Sequence, residues 1–457
     1  MSFLDTDRDL ARHSYYDATV RREAPRPALE GDIECDVAIV GGGLAGLSAA
    51  IELTDRGHRV VLLEARRLGW GASGRNGGQA LAGLACDQHA IESQLGLDEA
   101  RRIWAMTLEA ITLIAARCER FRIDCGWRAG YLSLAVNERK ARELQAWQSH
   151  MHKHYGFDST WISPAQMPQW IASPRFHSGV FDARSGHLNP LKYTLGLARG
   201  AAELGVRLFE DSPVTAIDTG TLPGSTVRLR TAKGSVRASQ VLLAGNVYLQ
   251  GVAPVLEPRI MPVGTYIVTS EPIEPALAQS LIPSGAAVCD TNFVLDYFRP
   301  VSDAVSTPGG VASASDHRML YGGRVSYSTA TPRDLEAGMQ RRMARTFPQL
   351  ANTRVEYAWG GFVDISMNRA PDFGRLSDRM SGSGEHLSNV YYLQGFSGHG
   401  LALTGIAGQL VAEAIHGDAS RFDTFSRIRH RNFPGGALLR TPALVAGMAY
   451  YRLKDLL

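Results

Sequence analysis

The chain has few cysteines and no long apolar run. Only five of its 457 residues are cysteine, and no two of them form a C-x-x-C pair or a metal-ligand spacing. The odd number argues against a disulfide framework and favours reduced thiols. No apolar stretch reaches the roughly 18 residues of a spanning helix, and the polar first 30 residues lack the apolar centre of a secretory signal. These absences predict a cytoplasmic protein.

The chain also lacks an excess of charge of either sign. It has 48 basic and 45 acidic residues, a formal net charge of +3 and no long basic run. Nucleic acid is therefore excluded as an expected partner. The 45% hydrophobic content is that of a globular protein, and 457 residues are too many for one ordinary core, so we expect two domains that interleave along the chain.

Glycine, in contrast, is abundant, with 47 residues that cluster in groups. The first group follows the short apolar run Val37–Val40, which is typical of a buried parallel strand. Gly41 and Gly43 allow a sharp turn and a close backbone approach to a pyrophosphate, and Gly46 allows the following helix, 44–56, to pack closely. The N-terminus of that helix offers free N–H groups to phosphates.

An acidic residue completes this nucleotide motif. Glu64 ends the second predicted strand, 18 residues after Gly46, where it would accept hydrogen bonds from the ribose of an adenosine. A glycine turn in an unrelated α/β protein is the alternative, although the strand, helix and acid around this one favour an adenine dinucleotide. The motif alone does not distinguish NAD from FAD.

Two later glycine groups and one strand extend the pattern. The loop Gly71–Gln79 has many exposed backbone N–H groups and follows the ribose-binding strand, so it is expected to run along the same dinucleotide, although a flexible surface loop is the alternative. The strand 240–246 ends in Ala244-Gly245 and is expected to return to the first sheet. Gly395–Leu401 is a second glycine turn that opens a helix, 401–416.

Three histidines on one predicted helix, 141–154, do not predict a metal site. His150 and His154 share a helix face and His152 lies on another. The sequence shows no acidic or cysteine partner near them, so we interpret them as part of a solvated face and predict no metal centre.

The glycine groups, in this order, resemble the D-amino-acid oxidase and glycine/sarcosine oxidase family of FAD-dependent amine oxidoreductases. The resemblance extends over residues 30–455. Within the family the chain is most similar to the gamma-glutamylputrescine oxidase subgroup, on the basis of Gly71–Gln79, Leu295–Arg299, Gln394–Gly400, Phe433–Gly436 and Tyr450–Asp455.

The resemblance implies an α/β fold with a discontinuous, Rossmann-like FAD-binding domain and a mixed-sheet α+β substrate domain. The implied boundaries are 1–32 for an N-terminal surface arm, 33–85, 182–257 and 356–430 for the FAD-binding domain, 86–181 and 258–355 for the substrate domain, and 431–457 for a C-terminal tail.

The resemblance also implies which residues hold FAD. The pyrophosphate, ribose, adenine and flavin contacts would come from Gly41, Gly43, Leu44, Ala45, Gly46, Glu64, Ala65, Ser73, Arg75, Asn76, Gly77, Gly78, Gln79, Val214, Ala244, Gly245, Gly398, His399, Gly400 and Leu401. Sarcosine oxidases carry a flavin-linked cysteine where this chain has Trp359-Gly-Gly-Phe, so we expect non-covalent FAD. They also carry a lysine that assists oxygen reduction, and the matching strand, 319–324, has none.

The implied reaction removes a hydride from the carbon alpha to an amine, after which water hydrolyses the imine to an aldehyde and oxygen reoxidises the flavin to give hydrogen peroxide. A gamma-glutamyl-polyamine such as gamma-glutamylputrescine is the implied substrate. Candidates for substrate or flavin contact are His399, Arg324, Tyr297 and Arg299, and Asp364 is a candidate for attracting a cationic amine. The alternative for each of the first four is a structural role, which for His399 would be a hydrogen bond that fixes the glycine turn. An amino-acid dehydrogenase that passes electrons to a quinone or carrier, and a non-catalytic flavoprotein scaffold, are the alternatives. The oligomeric state is left open.

Overall fold

A computed structural model describes most of the chain, and every structural statement below concerns that part. The described residues are 14–219, 225–249, 251–303, 316–326, 334–376 and 389–434, without the side chains of 324–326. The similarities at 435–457 and the Arg324 side chain therefore lie outside the described residues.

The first sheet is built around the strand that precedes the glycine turn. Within the described residues it has eight strands, of which five are parallel in the order β17-β10-β1-β2-β7. Antiparallel β16 flanks β17, and the β8–β9 hairpin pairs with the first part of β10. Their bounds are β1 Gly31–Val40, β2 Val60–Leu63, β7 Arg207–Phe209, β8 Ala216–Asp218, β9 Val227–Arg230, β10 Gly234–Leu243, β16 Asp372–Arg375 and β17 Val390–Gln394.

One face of this sheet is covered by four helices. These are α2 (Leu44–Asp55), α4 (Leu97–Arg120), α7 (Pro190–Glu203) and α10 (Gly400–His416). Helix α10 is apolar on nearly every side because it packs between α2 and α4. The resulting core holds α2 and α10 side by side, and both helices begin at the carboxyl edge of the parallel strands.

The crossing of α2 and α10 requires a small residue at Gly408. A Cβ built on Gly408 would lie 2.5 Å from the Cβ of Ser48. We expect Gly408→Ala to lower the free energy of unfolding by about 1–3 kcal/mol, as overpacking does in a tight core, measured by urea denaturation. Gly405→Ala, on the same helix, is the control, because its nearest new contact is an ordinary 3.5 Å. An equal loss of stability in both variants would contradict the explanation.

The second sheet is mixed, as the sequence predicts. It contains nine strands among the described residues, in the order β15-β11-β14-β13-β12-β4-β6-β3, with β5 paired to β6. Its pairs are antiparallel except β12 with β4. The bounds are β3 Gln79–Ala80, β4 Arg128–Ala135, β5 Thr160–Ile162, β6 Ser178–His187, β11 Ile260–Ser270, β12 Ala287–Asp290, β13 Tyr297–Val301, β14 Arg318–Ser326 and β15 Val355–Ser366.

Shorter helices surround the two sheets. A second core, with Phe298 and Phe347 at its centre, lies between the mixed sheet and its helices. The remaining helices are α1 Tyr15–Thr19, α3 Gln88–Leu95, α5 Glu138–Tyr155, α6 Met167–Trp170, α8 Pro275–Leu281, α9 Leu335–Thr346 and α11 Ser420–Ser426.

Three local details are decided by the structure. The apolar pattern of residues 87–122 is helical in the sequence, but the structure divides this stretch into two helices, because Gly96 stands at φ 83° between α3 and α4. The apolar segment 293–298 forms a strand only from Tyr297 onward, and β12 lies before it. Within the proposed N-terminal arm, Tyr15 and Tyr16 pack on the body of the protein, where they are fully buried against Trp359 and its neighbours.

The domain boundaries stay a prediction, although strand membership bears on them. The proposed division at 181/182 falls inside β6, and the one at 355/356 falls inside β15; both strands pair within the mixed sheet along their lengths.

Candidate active site

The glycine turn between β1 and α2 is shaped for a close approach of backbone to ligand. Gly41 has φ 113°, and a Cβ there would lie 2.6 Å from the carbonyl oxygen of Ala244. A Cβ on Gly46 would lie 2.0 Å from the carbonyl oxygen of Gly41. Glycine is therefore required at both positions. The N-cap of α2 is Gly43, which has no side chain to cap the helix, so that the N–H groups of the first turn after Leu44 are left for a ligand.

Glu64 lies directly beside this turn. Its Oε2 accepts a hydrogen bond of 2.7 Å from the Gly42 N–H, and its Oε1 accepts one of 2.9 Å from the Arg66 N–H. Burial raises the pKa of the Glu64 carboxyl. Ala65 follows it in the chain at the end of β2. The acidic residue predicted for the ribose is thus joined to the phosphate-binding turn.

The second glycine loop reaches the same place. Ser73 Oγ accepts a hydrogen bond of 2.9 Å from the N–H of Leu44, the first residue of α2. Within the loop, Asn76 Oδ1 accepts from the Gly78 N–H at 2.8 Å. Gln79 Nε2 donates to Val288 O on β12 at 3.0 Å. The loop therefore connects the nucleotide turn to the mixed sheet.

Arg75 anchors this loop on β15. Its Nη1 donates to Gly360 O at 3.3 Å, and Trp359 Nε1 donates to Arg75 O at 2.9 Å. The guanidinium also lies over the Trp70 ring, with Cζ 4.7 Å from the ring centroid. Trp70 Nε1 is buried and has no hydrogen-bond partner among the described residues. This buried donor, next to the loop, fits a polar group of a bound cofactor.

Ala244 and Gly245 complete the nucleotide side. The Ala244 N–H donates to Val40 O at 2.8 Å, which places the end of β10 against the glycine turn. Val214, before β8, packs on the opposite face of the sheet from α2. The assignment of Val214 to the adenine stays a prediction.

The second glycine turn lies at the start of α10. His399 is the N-cap of this helix and supplies no side-chain cap, so the N–H groups of Gly400 and Leu401 are presented as at α2. Gly398 precedes it with φ 82°. Asp364 Oδ2 accepts from the Gly395 N–H at 2.5 Å, which holds the turn. The Asp364 carboxylate therefore has a structural partner, and the suggested role in attracting an amine stays a prediction.

The His399 imidazole is held by a backbone hydrogen bond. Its Nε2 lies 3.2 Å from Ala82 O, which requires the proton on Nε2. Burial lowers the pKa of His399 to about 4, so the ring is neutral near pH 7. This contact ties α10 to the segment after β3. A contact of His399 with flavin or substrate stays a prediction.

Two helix N-termini whose own N-cap residues give no side-chain cap, an acidic residue at the end of β2 and a glycine cradle meet at one edge of the first sheet. This donor set fits the diphosphate and ribose of FAD, and the second turn would place N–H donors near the flavin. The cofactor residues predicted in four separate segments are therefore brought together, with the exception of Val214.

Arg299, on β13, is enclosed by protein acceptors. Its Nε donates to Gly77 O at 2.7 Å, and its Nη2 donates to Leu188 O at 2.9 Å. Its Nη1 lies 3.1 Å from His187 Nδ1, and its Nη2 donates to the Tyr16 hydroxyl at 3.1 Å. A contact of Arg299 with substrate would thus have to compete with these four protein contacts. The four contacts support the loop around Gly77.

Tyr297 fills the space between two glycines. A Cβ on Gly77 would lie 2.6 Å from the Tyr297 ring, and a Cβ on Gly322 would lie 2.1 Å from it. Burial raises the pKa of Tyr297, so its hydroxyl stays protonated. The ring therefore lies between the cofactor loop and β14, the strand that carries the backbone of Arg324.

The sequence did not identify Arg369, in the turn between β15 and β16. Its φ of 59° is left-handed, which a residue other than glycine adopts only where its surroundings hold it there. Its guanidinium lies 5.6 Å from the Phe293 ring centroid, and its charge acts on His399 and Cys86. Burial lowers the pKa of Arg369.

In the part of the chain that the structure describes, the Arg369 side chain forms no ion pair with a carboxylate and no hydrogen bond. A half-buried guanidinium without a counter-charge among the described residues favours a site for an anionic ligand. Its surroundings come from three separate segments: the stretch after β3, the β12–β13 connection and the start of α10. Only tertiary structure joins them.

The buried histidine beside Arg299 makes stability depend on pH. Burial and the nearby Arg299 charge lower the pKa of His187 to about 3, against 6.5 for an unperturbed histidine. Between these values the unfolded chain binds a proton that the folded chain does not, so stability falls as pH decreases below about 6.5. From pH 6.5 to 4.5 we expect a loss of about 2–3 kcal/mol from this residue, measured by denaturation at each pH. The His187→Gln variant should lose less on acidification; an identical acid dependence would contradict the assignment.

With a nucleotide turn in one sheet and a mixed sheet beside it, the chain has the architecture of a flavin-dependent α/β oxidoreductase. It belongs to the family of FAD-dependent oxidoreductases named after D-amino-acid oxidase (DAO), whose family model matches residues 36–414. FAD is therefore its cofactor, and the resemblance inferred from the glycine groups is confirmed.

Curated relatives match the chain over almost its full length. Gamma-glutamylputrescine oxidoreductase of Escherichia coli (strain K12) is 39% identical over 443 residues, which are 97% of this chain and 98% of that protein. A probable oxidoreductase, OrdL, of Haemophilus influenzae is 37% identical over 447 residues, 97% of each chain. The chain is thus an FAD-dependent oxidoreductase close to gamma-glutamylputrescine oxidoreductase.

Solved structures confirm the fold. The crystal structure of glycine oxidase from Geobacillus kaustophilus matches with a TM-score of 0.71 at 22% identity, covering 87% of this chain and all of that one. Glycine oxidase from Bacillus cereus matches with a TM-score of 0.66 at 21% identity, covering 87% of this chain and 99% of that one. Among the helices of the described residues, none is long and apolar enough to cross a membrane.

Proposed function

We propose that the protein oxidises the amine end of a gamma-glutamyl-polyamine such as gamma-glutamylputrescine, at the carbon next to the nitrogen, and that Arg369 holds the carboxylate of the glutamyl group. The observation that carries this proposal is the guanidinium of Arg369, which lies near His399 without a carboxylate partner among the described residues. The relative named gamma-glutamylputrescine oxidoreductase supports the substrate class.

The reacting end needs a neutral amine and a fixed position. FAD, when bound, would accept the hydride from the carbon next to the nitrogen. The positive charges of Arg299 and Arg369 disfavour a protonated amine nearby, because like charges repel. His399, neutral near pH 7, adds no further charge.

We assign Arg299 to positioning, because its contacts with Gly77 and Leu188 support the loop beside the cofactor turn. Tyr297 would shape the wall of the site through its packing against the same loop. A role for Arg324 is part of the proposal on sequence grounds alone, since its side chain lies outside the described part.

The proposal is tested by anaerobic reduction of the bound flavin. We expect gamma-glutamylputrescine to bleach the flavin at lower concentration than putrescine, which lacks the carboxylate, and faster than glycine, sarcosine or D-alanine. A preference for the small amino acids would overturn the proposed substrate. No reduction by any amine would favour a scaffold without turnover.

Oxygen is proposed as the final electron acceptor, with hydrogen peroxide as product. The second candidate, a dehydrogenase that uses a quinone or carrier, is favoured by the sequence of β14 (Arg318–Ser326), which has no lysine. Peroxide formed in a one-to-one ratio with aldehyde under air would support the oxidase. Turnover that requires an added quinone and gives no peroxide would support the dehydrogenase.

A further inference from the structure

A cluster of two histidines and a glutamate lies on the outer side of the fold, between α3 and α5. His89 Nδ1 lies 2.9 Å from Glu92 Oε2, and His150 Nε2 lies 2.7 Å from Glu92 Oε1. The three ligand atoms are all within 4.8 Å of one another. The cluster joins two helices that are far apart in sequence.

This arrangement corrects the sequence-based interpretation of the histidines on α5. That interpretation placed no acidic residue near them, whereas Glu92 reaches His150 from α3. His152, in contrast, is paired with Asp158 and is 70% exposed. Only the tertiary structure separates the two histidines, because it brings a second helix against one face of α5.

The Glu92 carboxylate is also oriented by hydrogen bonds from residues that are not ligands. The Tyr155 hydroxyl donates to Glu92 Oε1 at 2.6 Å, and Gln88 Nε2 donates to the Tyr155 hydroxyl at 3.1 Å. Glu92 and His150 are only 17% and 21% exposed at their side chains. Such hydrogen bonds orient ligand atoms before an ion binds, as they do around metal ligands in general.

Two imidazoles and one carboxylate are the ligand set that zinc accepts with one position left open. With bond lengths of about 2.0–2.1 Å, neighbouring ligand atoms of a tetrahedral zinc ion stand roughly 3.3 Å apart. The separations of 2.7 and 2.9 Å here are hydrogen-bond distances, shorter than that value, and the ligand atoms all lie within 4.8 Å of one another, so the side chains must rotate to surround one ion. A hard ion such as Mg²⁺ prefers oxygen ligands and fits this set poorly.

We propose that His89, Glu92 and His150 bind a Zn²⁺ ion that joins α3 to α5. The fourth position faces solvent, since 65% of the His89 side chain is exposed, and water or His154 occupies it. His154 lies one turn after His150, with ring centroids 4.7 Å apart. Zinc binding would fix α3, the helix that follows the segment to which His399 is hydrogen-bonded. The zinc ion would lie outside the flavin site.

The test is a direct measurement of zinc binding to the untagged holoenzyme. The protein is first treated with EDTA, and the EDTA is then removed. We expect one Zn²⁺ per chain, measured by competition with a chromophoric chelator, together with a rise of several degrees in melting temperature and an unchanged flavin spectrum. Mg²⁺ at the same concentration is expected to give neither effect. The variants Glu92→Gln and His150→Gln should weaken zinc binding by about 100-fold or more.

His152→Gln is the matched control, because it removes an imidazole from the same helix but from another face. It should bind zinc as the unmodified protein does. The absence of zinc binding in the unmodified protein, or an equal loss in His152→Gln, would overturn the proposal. Melting of all variants in EDTA shows that they are folded, so lost binding is not mistaken for lost structure.

Discussion

The Gly46→Ala variant is expected to be purified with less than about a tenth of its normal FAD and a matching loss of activity. A Cβ at this position would lie 2.0 Å from the carbonyl oxygen of Gly41 and 3.2 Å from a methyl group of Ile39. Because the first contact is with backbone, no side-chain rotation relieves it. Helix α2 must move away from β1, and its N-terminal N–H groups then no longer meet the phosphates. The flavin absorbance per protein measures the loss.

A graded series makes this prediction specific. Among the described residues, a Cβ on Gly43 would meet only the Ser73 side chain, with its hydroxyl at 2.7 Å, and that hydroxyl can rotate at the cost of its hydrogen bond with the Leu44 N–H. Gly43→Ala should therefore retain more FAD than Gly46→Ala. Gly405→Ala, on α10, makes only ordinary contacts with α4 and should retain all of it. Full flavin content in Gly46→Ala, with an unchanged circular dichroism spectrum, would show that the close approach is not required.

The Arg369→Met variant is expected to lose about 100-fold in kcat/KM for gamma-glutamylputrescine, mainly through a higher KM. Methionine keeps much of the length of the side chain but removes the charge and the paired N–H donors that would bind a carboxylate. A lost charge-assisted hydrogen bond of about 1.5–3 kcal/mol corresponds to a factor of roughly ten to more than a hundred. Steady-state kinetics under air or with the preferred acceptor measures the change.

Putrescine supplies the second arm of this experiment. Putrescine lacks the carboxylate, so Arg369→Met should leave its weak turnover nearly unchanged. The loss of activity from removing the substrate carboxylate and the loss from removing the Arg369 guanidinium should therefore not add. Arg102→Met is the control, because this exposed arginine is paired with Glu99 on the surface of α4. Equal losses for both substrates would assign Arg369 to structure, through its left-handed turn, and would remove the main support for a carboxylate-bearing substrate.

The local signals in the sequence predicted the fold well. Each glycine turn lies within one strand–helix connection, so residue types a few positions apart determine its shape. The β1–α2 turn, Glu64 at the end of β2 and the helix after Gly400 could all be predicted for this reason. The strand–turn–helix order and the composition of the later glycine groups were sufficient to identify the family.

Interactions between distant segments could not be predicted in this way. Tyr16 stands in a polar N-terminal stretch, yet its hydroxyl donates to Asn76 O and accepts from Arg299. The only sequence feature that indicated this contact was the neighbouring Tyr15. Two adjacent aromatic residues in a polar segment are typical of a segment that packs on the body of the protein. Arg369 had no signal at all, since nothing in its local sequence distinguishes an unpaired arginine from a surface one.

The sequence by itself therefore determined the family, through short-range patterns of glycine, apolar residues and one acid, and the resemblance to that family implied the cofactor and the architecture. The tertiary structure alone decided the charges around the site: which arginine is enclosed, which has no carboxylate partner among the described residues, and which histidine meets a glutamate. The physical reason is that solvation and pairing depend on neighbours from other segments. Arg299 and Arg369 are the same residue type, and only the packing around them separates a positioning group from the proposed carboxylate-binding group.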